Sequence, residues 1–182
     1  MKIKILVLGL IAILFAGCSG MRELSRSYHV KTYVDEFENY EEYRQRYNRN
    51  PAGIFVGLVE MDALDLRIRK YSTGRKEYSI IVYVERPNWL YIQRVPFELK
   101  VDNKIFEFLF LNHQSHVLEA NKVQEWAYYK TDIESINEIM EAEKVIGKLY
   151  GDDGFIIIEY RPAVFERWKE FLEKYDKEIL ND

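Results

Sequence analysis

One cysteine, four prolines and three histidines in 182 residues leave several kinds of chemistry without material. With Cys18 alone, no intramolecular disulfide can form, so the fold must rest on its core and its hydrogen bonds. Twenty-six basic residues against 30 acidic ones give a net charge of −4. That balance excludes a phosphate-tracking surface, which needs a basic stripe, and no nucleic-acid partner is expected. A polybasic membrane patch is excluded for the same reason. The longest apolar stretch, Ile5 to Gly17, has thirteen residues. As a helix it would span roughly 20 Å, short of the ~30 Å hydrocarbon core of a bilayer. Catalytic signatures are equally scarce. No Gly-x-Ser-x-Gly elbow occurs, and Gly53-Ile-Phe-Val-Gly57 lacks the Lys-Ser or Lys-Thr that would make it a phosphate loop.

Aromatic residues are abundant, with fourteen Tyr, ten Phe and three Trp, which suits strand-rich structure and a large apolar payload per residue. Tyr28 to Val34 alternates and predicts a first strand. From Asp35 to Tyr47, Phe37, Tyr40, Tyr43 and Tyr47 recur at helical spacing and predict a helix, ended by the breakers of Asn48 to Gly53. Beyond Ile54 the period becomes two. Leu64, Leu66 and Ile68 alternate with Asp65, Arg67 and Arg69, and Tyr78 to Val84 is dense in β-branched and aromatic residues. Trp89 to Ile92 follows the Pro87-Asn88 break as a further apolar run. A hairpin is predicted from Phe97–Val101 and Ile105–Leu111 around Asp102-Asn103, with more strands at Val117–Leu118 and Val123–Tyr129. Thr131-Asp-Ile-Glu134 has capping-box form and predicts a helix from about Asp132 to Ala142 or Glu143. Val145–Tyr150 and Phe155–Tyr160 form a last hairpin over Gly151-Asp-Asp-Gly154. Pro162 suits a first helical turn, and Val164, Phe165, Trp168, Phe171, Leu172 and Tyr175 place an apolar stripe on the final helix. The expected fold is α+β: a mainly antiparallel meander, curled into a sandwich or partial barrel, with the last helix packed on the sheet.

The N-terminus carries its own pattern. Lys2 and Lys4 precede the apolar run, and Phe15-Ala16-Gly17-Cys18 is followed by Ser19 and Gly20. A charged start, a short apolar stretch and small residues before a cut describe an exported leader, and the residues around Cys18 resemble the lipobox of bacterial lipoproteins. Phe15 stands where Leu is usual. The resemblance implies cleavage after Gly17, diacylglycerol on the Cys18 thiol and further acylation, of the palmitate type, on the new amino group. It also gives the unpaired thiol a use. Two or three acyl chains hold a protein durably to a bilayer, each buried methylene contributing roughly 0.8 kcal/mol. Residue Ser19, in place of Asp, favours the outer membrane in a diderm cell by the same resemblance. The expected organisation is a cleaved signal peptide at 1–17, a lipidated tether at 18–27 and one globular domain at 28–182. Loss of Lys2 and Lys4 leaves 24 basic residues against 30 acidic ones.

Candidate sites are thin. His113 and His116 supply at most half of a zinc shell and fit a loop better. Asp152 and Asp153 lack the rest of a calcium loop and fit a hairpin turn. Glu60 and Asp62 share a strand face, as paired catalytic carboxylates would, but such pairs arise readily among 30 acids. Trp89 with Tyr91, and Trp126 with Tyr128 and Tyr129, suit either a sugar- or peptide-binding groove or the core, and alternation favours the core. No catalytic, metal or cofactor residue is assigned, and Cys18 is the one site residue. The expected function is a membrane-anchored envelope lipoprotein acting as a non-catalytic binding, assembly or structural module, meeting an envelope protein or cell-wall component. The alternative is an envelope hydrolase or metal-dependent enzyme whose site assembles only in the fold.

Overall fold

The computed structural model describes residues 28–50, 61–118 and 122–176. The leader, Cys18, the tether, Gly53 to Gly57 and Glu60 lie outside the described residues. The chain folds as α+β, with ten strands and two helices among the described residues. A six-stranded sheet contains β1 (His29–Asp35), β2 (Tyr40–Arg46), β3 (Met61–Tyr71), β4 (Lys76–Arg86), β8 (Val123–Thr131) and β7 (Phe110–Val117), in that spatial order. A four-stranded sheet has the order β10 (Gly154–Tyr160), β9 (Val145–Gly151), β5 (Phe97–Val101), β6 (Lys104–Phe108). Every pairing is antiparallel. Helix α1 is Ile133–Met140 and helix α2 is Pro162–Tyr175.

One core joins all of these elements. Leu64, Leu66, Ile68, Ile80, Val82 and Tyr129 from the large sheet meet Phe97, Leu99, Leu149 and Ile158 from the small one, together with Ile136 and Ile139 of α1 and Trp168 and Phe171 of α2. The stripe read from the sequence is the buried face of α2, and Arg167 joins it, also buried. Trp168 is fully buried and its Nε1 donates to the Leu64 carbonyl at 2.9 Å, which seats the helix on β3. At its end, the buried Asp176 carboxylate takes Lys76 Nζ at 2.6 Å and the Tyr78 hydroxyl at 2.5 Å.

Three sequence expectations are corrected. Asp35 to Tyr47 is not a helix but a tight turn followed by β2. The Asp35 carboxylate accepts from the Phe37 and Glu38 amides at 3.0 and 2.9 Å, Asn39 has φ +54°, and the turn closes a hairpin in which Asp35 pairs with Tyr40. The helical spacing of Phe37, Tyr40, Tyr43 and Tyr47 is coincidental, because β2 buries Tyr40 and Glu42 on one face and Gln45 on the other. A polar residue that becomes buried by pairing is invisible to a hydrophobic period. The first helix begins one residue later than the capping box implies. Asp132, not Thr131, is the N-cap, accepting from the Ser135 amide at 2.7 Å, as a short carboxylate does for an orphan amide. The Ile105–Leu111 run is two strands and not one. It divides at Leu109, leaving β6 in the small sheet and starting β7 in the large one, with the Leu109 carbonyl accepting from Lys130 N at 2.8 Å. Trp89 to Ile92 is irregular, with Tyr91 at φ +51°.

Candidate interaction surface

The second face of the large sheet, away from the core, carries the alternate residues of β2, β3, β4 and β8. There Glu42, nearly buried, faces three guanidinium groups. Arg44 Nε lies at 3.0 Å, Arg69 Nε at 2.8 Å and Arg67 Nη1 at 3.8 Å. Burial alone would raise the Glu42 carboxyl, but the hydrogen bond from Arg69 and the charges of Arg44 and Arg67 hold it below the ordinary carboxylate range. Arg44 and Arg67 both lie 5.2 Å over the Tyr128 ring, Arg44 Nη1 donates to the Tyr128 hydroxyl at 3.0 Å, and Arg67 Nη2 donates to Ser79 Oγ at 2.8 Å. Burial lowers the Arg67 guanidinium from its usual range. These groups answer one another across four strands. Their geometry cross-links a sheet, with Arg67 Nε buried without a hydrogen-bond partner and a cavity of only about 60 Å³ beside Arg44 and Tyr128.

A second polar knot joins the sheet to α2. After β2 the chain turns at Tyr47, φ +60°, and pairs again through Arg49 and Ala63. Asp65 accepts from the Asn48 and Tyr47 amides at 2.7 and 3.2 Å. Burial pushes its carboxyl up to about 7, against the lowering effect of those two amides and of Arg46 and Arg44. The Asn48 carboxamide donates to the Leu64 and Val164 carbonyls at 2.8 and 3.0 Å and accepts from Arg167 Nε at 2.5 Å. Gln45 donates to the Arg167 carbonyl and accepts from Leu66 N. Asp65 therefore has the raised value common in active sites, yet both its oxygens hold main chain.

The candidates read from sequence do not assemble. The loop expected for His113 and His116 is instead strand β7, where residues three apart lie on opposite faces and cannot share an ion. His113 Nε2 sits 3.2 Å from Glu125, whose buried carboxylate accepts from the Leu90 and Ile92 amides at 2.7 and 3.1 Å and so pins the irregular loop. Asp152 and Asp153 form the hairpin turn. Asp62 pairs with Arg86 at 2.9 Å. Among the described residues no group of three or more His, Cys, Asp or Glu side chains is close enough to hold a metal ion. Tyr129 packs in the core against Phe97, Trp126 packs on the buried Tyr83, and Tyr128 belongs to the arginine cluster. Trp89 and Tyr91, expected in the core, instead stack on each other at 5.3 Å in the irregular segment, with Tyr91 exposed and Trp89 partly buried. A cleft of about 520 Å³ opens beside β4, β8 and α1; in its lining Arg75 pairs with Glu77, Lys76 with Asp176 and Asp132 caps its helix, and Lys130 and Glu134 line it as well.

What sequence reading missed lies on the small sheet. Its inner face is core. On its outer face β10 exposes Phe155 and Ile157, each 57 %, and β6 exposes Ile105. Tyr150 of β9 stands opposite Phe155, Lys148 opposite Ile157 and Ile146 opposite Glu159. Lys148 crosses this face, 4.5 Å from the Tyr150 ring and 4.8 Å from the Phe155 ring, with Glu98 at 3.9 Å as its counter-ion. The signal was present as Phe155-Ile-Ile-Ile158, apolar at successive positions where a one-faced strand alternates.

No protein-family model matches this chain, and neither the curated proteins nor the solved structures searched contain a match.

Proposed function

We propose that this protein is a bacterial envelope lipoprotein, anchored to a membrane through lipid on Cys18, whose domain is a non-catalytic module that binds another envelope component. The anchoring half of this reading rests on the lipobox resemblance of Phe15 to Gly20. One observation carries the binding half: the polar networks among the described residues bond to one another and to main chain, while large apolar side chains, Phe155 and Ile157 foremost, stand on the outside of the small sheet. Exposed apolar groups gathered on one face mark an interaction surface more often than scattered ones.

Two measurements test it. Intact mass and fragmentation of the mature N-terminus should show a chain beginning at Cys18 with acyl mass on it; a bare thiol or a retained leader refutes the anchor. Chemical cross-linking in intact envelopes, followed by capture of the protein, should return a specific adduct. Recovery of uncross-linked monomer alone, at every cross-linker length, refutes the binding module.

A further inference from the structure

The edge of the small sheet shows what kind of partner fits. Strand β10 pairs with β9 on one side, and no described strand pairs on the other. The hairpin register pairs Gly154 with Gly151, Ile156 with Leu149 and Ile158 with Gly147. With a two-residue turn, those pairs exchange main-chain bonds, so the N–H and C=O of Phe155, Ile157 and Glu159 point out to the open edge. Asn50 confirms this direction. Its side-chain Nδ2 donates to the Glu159 carbonyl at 2.7 Å, and its Oδ1 accepts from Arg161 N at 3.1 Å. A carboxamide thus does for residues 159–161 what a neighbouring strand would do, and stops there. Among the described residues, the two main-chain groups of Phe155, the two of Ile157 and the Glu159 amide find no partner. Edges of this kind are normally blunted by lysine, proline or a bulge, and β10 has none of these.

Charge narrows the choice of occupant. The open stretch is apolar in its middle and acidic at both ends, with Asp152 and Asp153 before it and Glu159 after it, and β10 itself contains no base. A second copy fits poorly. Antiparallel self-pairing with Phe155 opposite Ile157 places Asp153 against Glu159. Moving the register two residues one way sets the incoming strand where Asn50 already sits; moving it the other way, with Phe155 opposite Phe155, leaves only residues 154–156 of the two β10 strands facing each other.

We infer, resting on the binding-module reading above, that β10 takes up by strand addition an extended segment of another protein, apolar at alternate residues and carrying Lys or Arg at its ends. Main-chain bonds to Phe155 and Ile157 give affinity, and the basic ends answer Asp152, Asp153 and Glu159.

The test uses the full chain in its own membrane, with a photo-cross-linking phenylalanine analogue at 155 and, in a second protein, at Phe37, which is fully exposed far along the chain. The expected result is an adduct from position 155 with a protein of another mass, reduced at least tenfold by Ile157→Pro. That substitution removes an outward N–H and leaves the β9 ladder intact. Should the proline variant fold poorly by tryptophan fluorescence, Ile157→Lys serves instead, since it keeps the main chain and repels a basic segment. In detergent solution, a seven-residue peptide Lys-Val-Thr-Val-Thr-Val-Lys should slow amide exchange at Phe155 and Ile157 more than its Glu-ended counterpart. An adduct of twice the chain's mass, an adduct within one chain to residues 51–60, or equal effects of the two peptides overturns the inference. Adducts from Phe37 with none from 155 overturn it while leaving the binding module standing; none from either site overturns both.

Discussion

Replacing Glu42 with Gln keeps the shape of the side chain and removes the one negative charge that three arginines share. In the folded protein Glu42 is 5 % exposed in its side chain, Arg67 is 10 % exposed, and Arg44 and Arg69 are about one quarter exposed, at 26 % and 25 %. Breaking a buried ion pair from one side costs ~3–5 kcal/mol, because the remaining charge stays desolvated. Two of the three guanidiniums here retain partial access to water, which reduces their share, so Glu42→Gln should lower stability by about 3 kcal/mol. Urea unfolding followed by tryptophan emission reads this directly, since Trp168 is fully buried and Trp126 packs on Tyr83. With a slope of about 2 kcal/mol/M, the midpoint should fall by about 1.5 M. A pH series adds a second readout. The folded carboxyl lies below its unfolded value, so its contribution is complete above the ordinary Glu range and is lost as pH falls through the folded value. The gap between wild type and variant should therefore narrow in acid. A midpoint shift below 0.3 M at neutral pH, or a gap that widens in acid, refutes the view that this cluster holds the sheet together; such small values are what ~0.5 kcal/mol would give at that slope.

Asp65 should show the opposite sign. Its folded carboxyl is raised to about 7 by burial, so the folded chain holds this proton more tightly than the unfolded chain does. Its stability contribution is greatest below the unfolded value and declines as pH rises towards 7, by ~1.4 kcal/mol per unit of the gap. Asp65→Asn should flatten the stability profile between about pH 4 and 7, and an unchanged slope in thermal melts across that window would count against it. Gly147→Ala places a Cβ 2.8 Å from Tyr160 Cε2 and 3.0 Å from Phe97 Cζ, both in buried rings. Overpacking of this kind costs ~1–3 kcal/mol, so a variant as stable as wild type in urea would show that the rings yield without cost. Glu125→Ala removes the acceptor for Leu90 and Ile92, and their amides should exchange with solvent at least tenfold faster while the β3–β4 amides keep their protection; uniform loss across both would mean global unfolding.

Where burial is apolar on one face, the sequence already announces the element. Leu64, Leu66 and Ile68 alternate with Asp65, Arg67 and Arg69, and β3 follows that pattern. The stripe from Val164 to Leu172 is likewise the buried face of α2. Burial by polar pairing was not legible. Glu42, Gln45, Asp65 and Arg67 are all buried, and each has partners well along the chain, such as Gln45 with Arg167 across 122 positions. No local window contains that information. The switch of sheet at Leu109 was hidden for a related reason, since two strands separated by a single residue look like one apolar run.

The surface site shows the same division. Phe155-Ile-Ile-Ile158 was readable as a strand, but its outward exposure follows from strand order, which leaves β10 at an edge. The carboxamide of Asn50, which closes one end of that edge, lies 109 residues from Glu159 and sits in what reads locally as a loop. His113 and His116 read locally as a loop but lie on β7, where strand periodicity sends side chains three apart in opposite directions.

The crossing at Leu109 has a consequence for how the molecule comes apart. Because one uninterrupted stretch of backbone serves as the end of one sheet and the start of the other, neither layer can be peeled away as a separate unit. Pulling β7 out of register drags β6 with it, and the interior that both layers enclose is exposed at once. Unfolding should accordingly be all-or-none, and a tethered copy under load should either keep its whole shape or lose it in a single event.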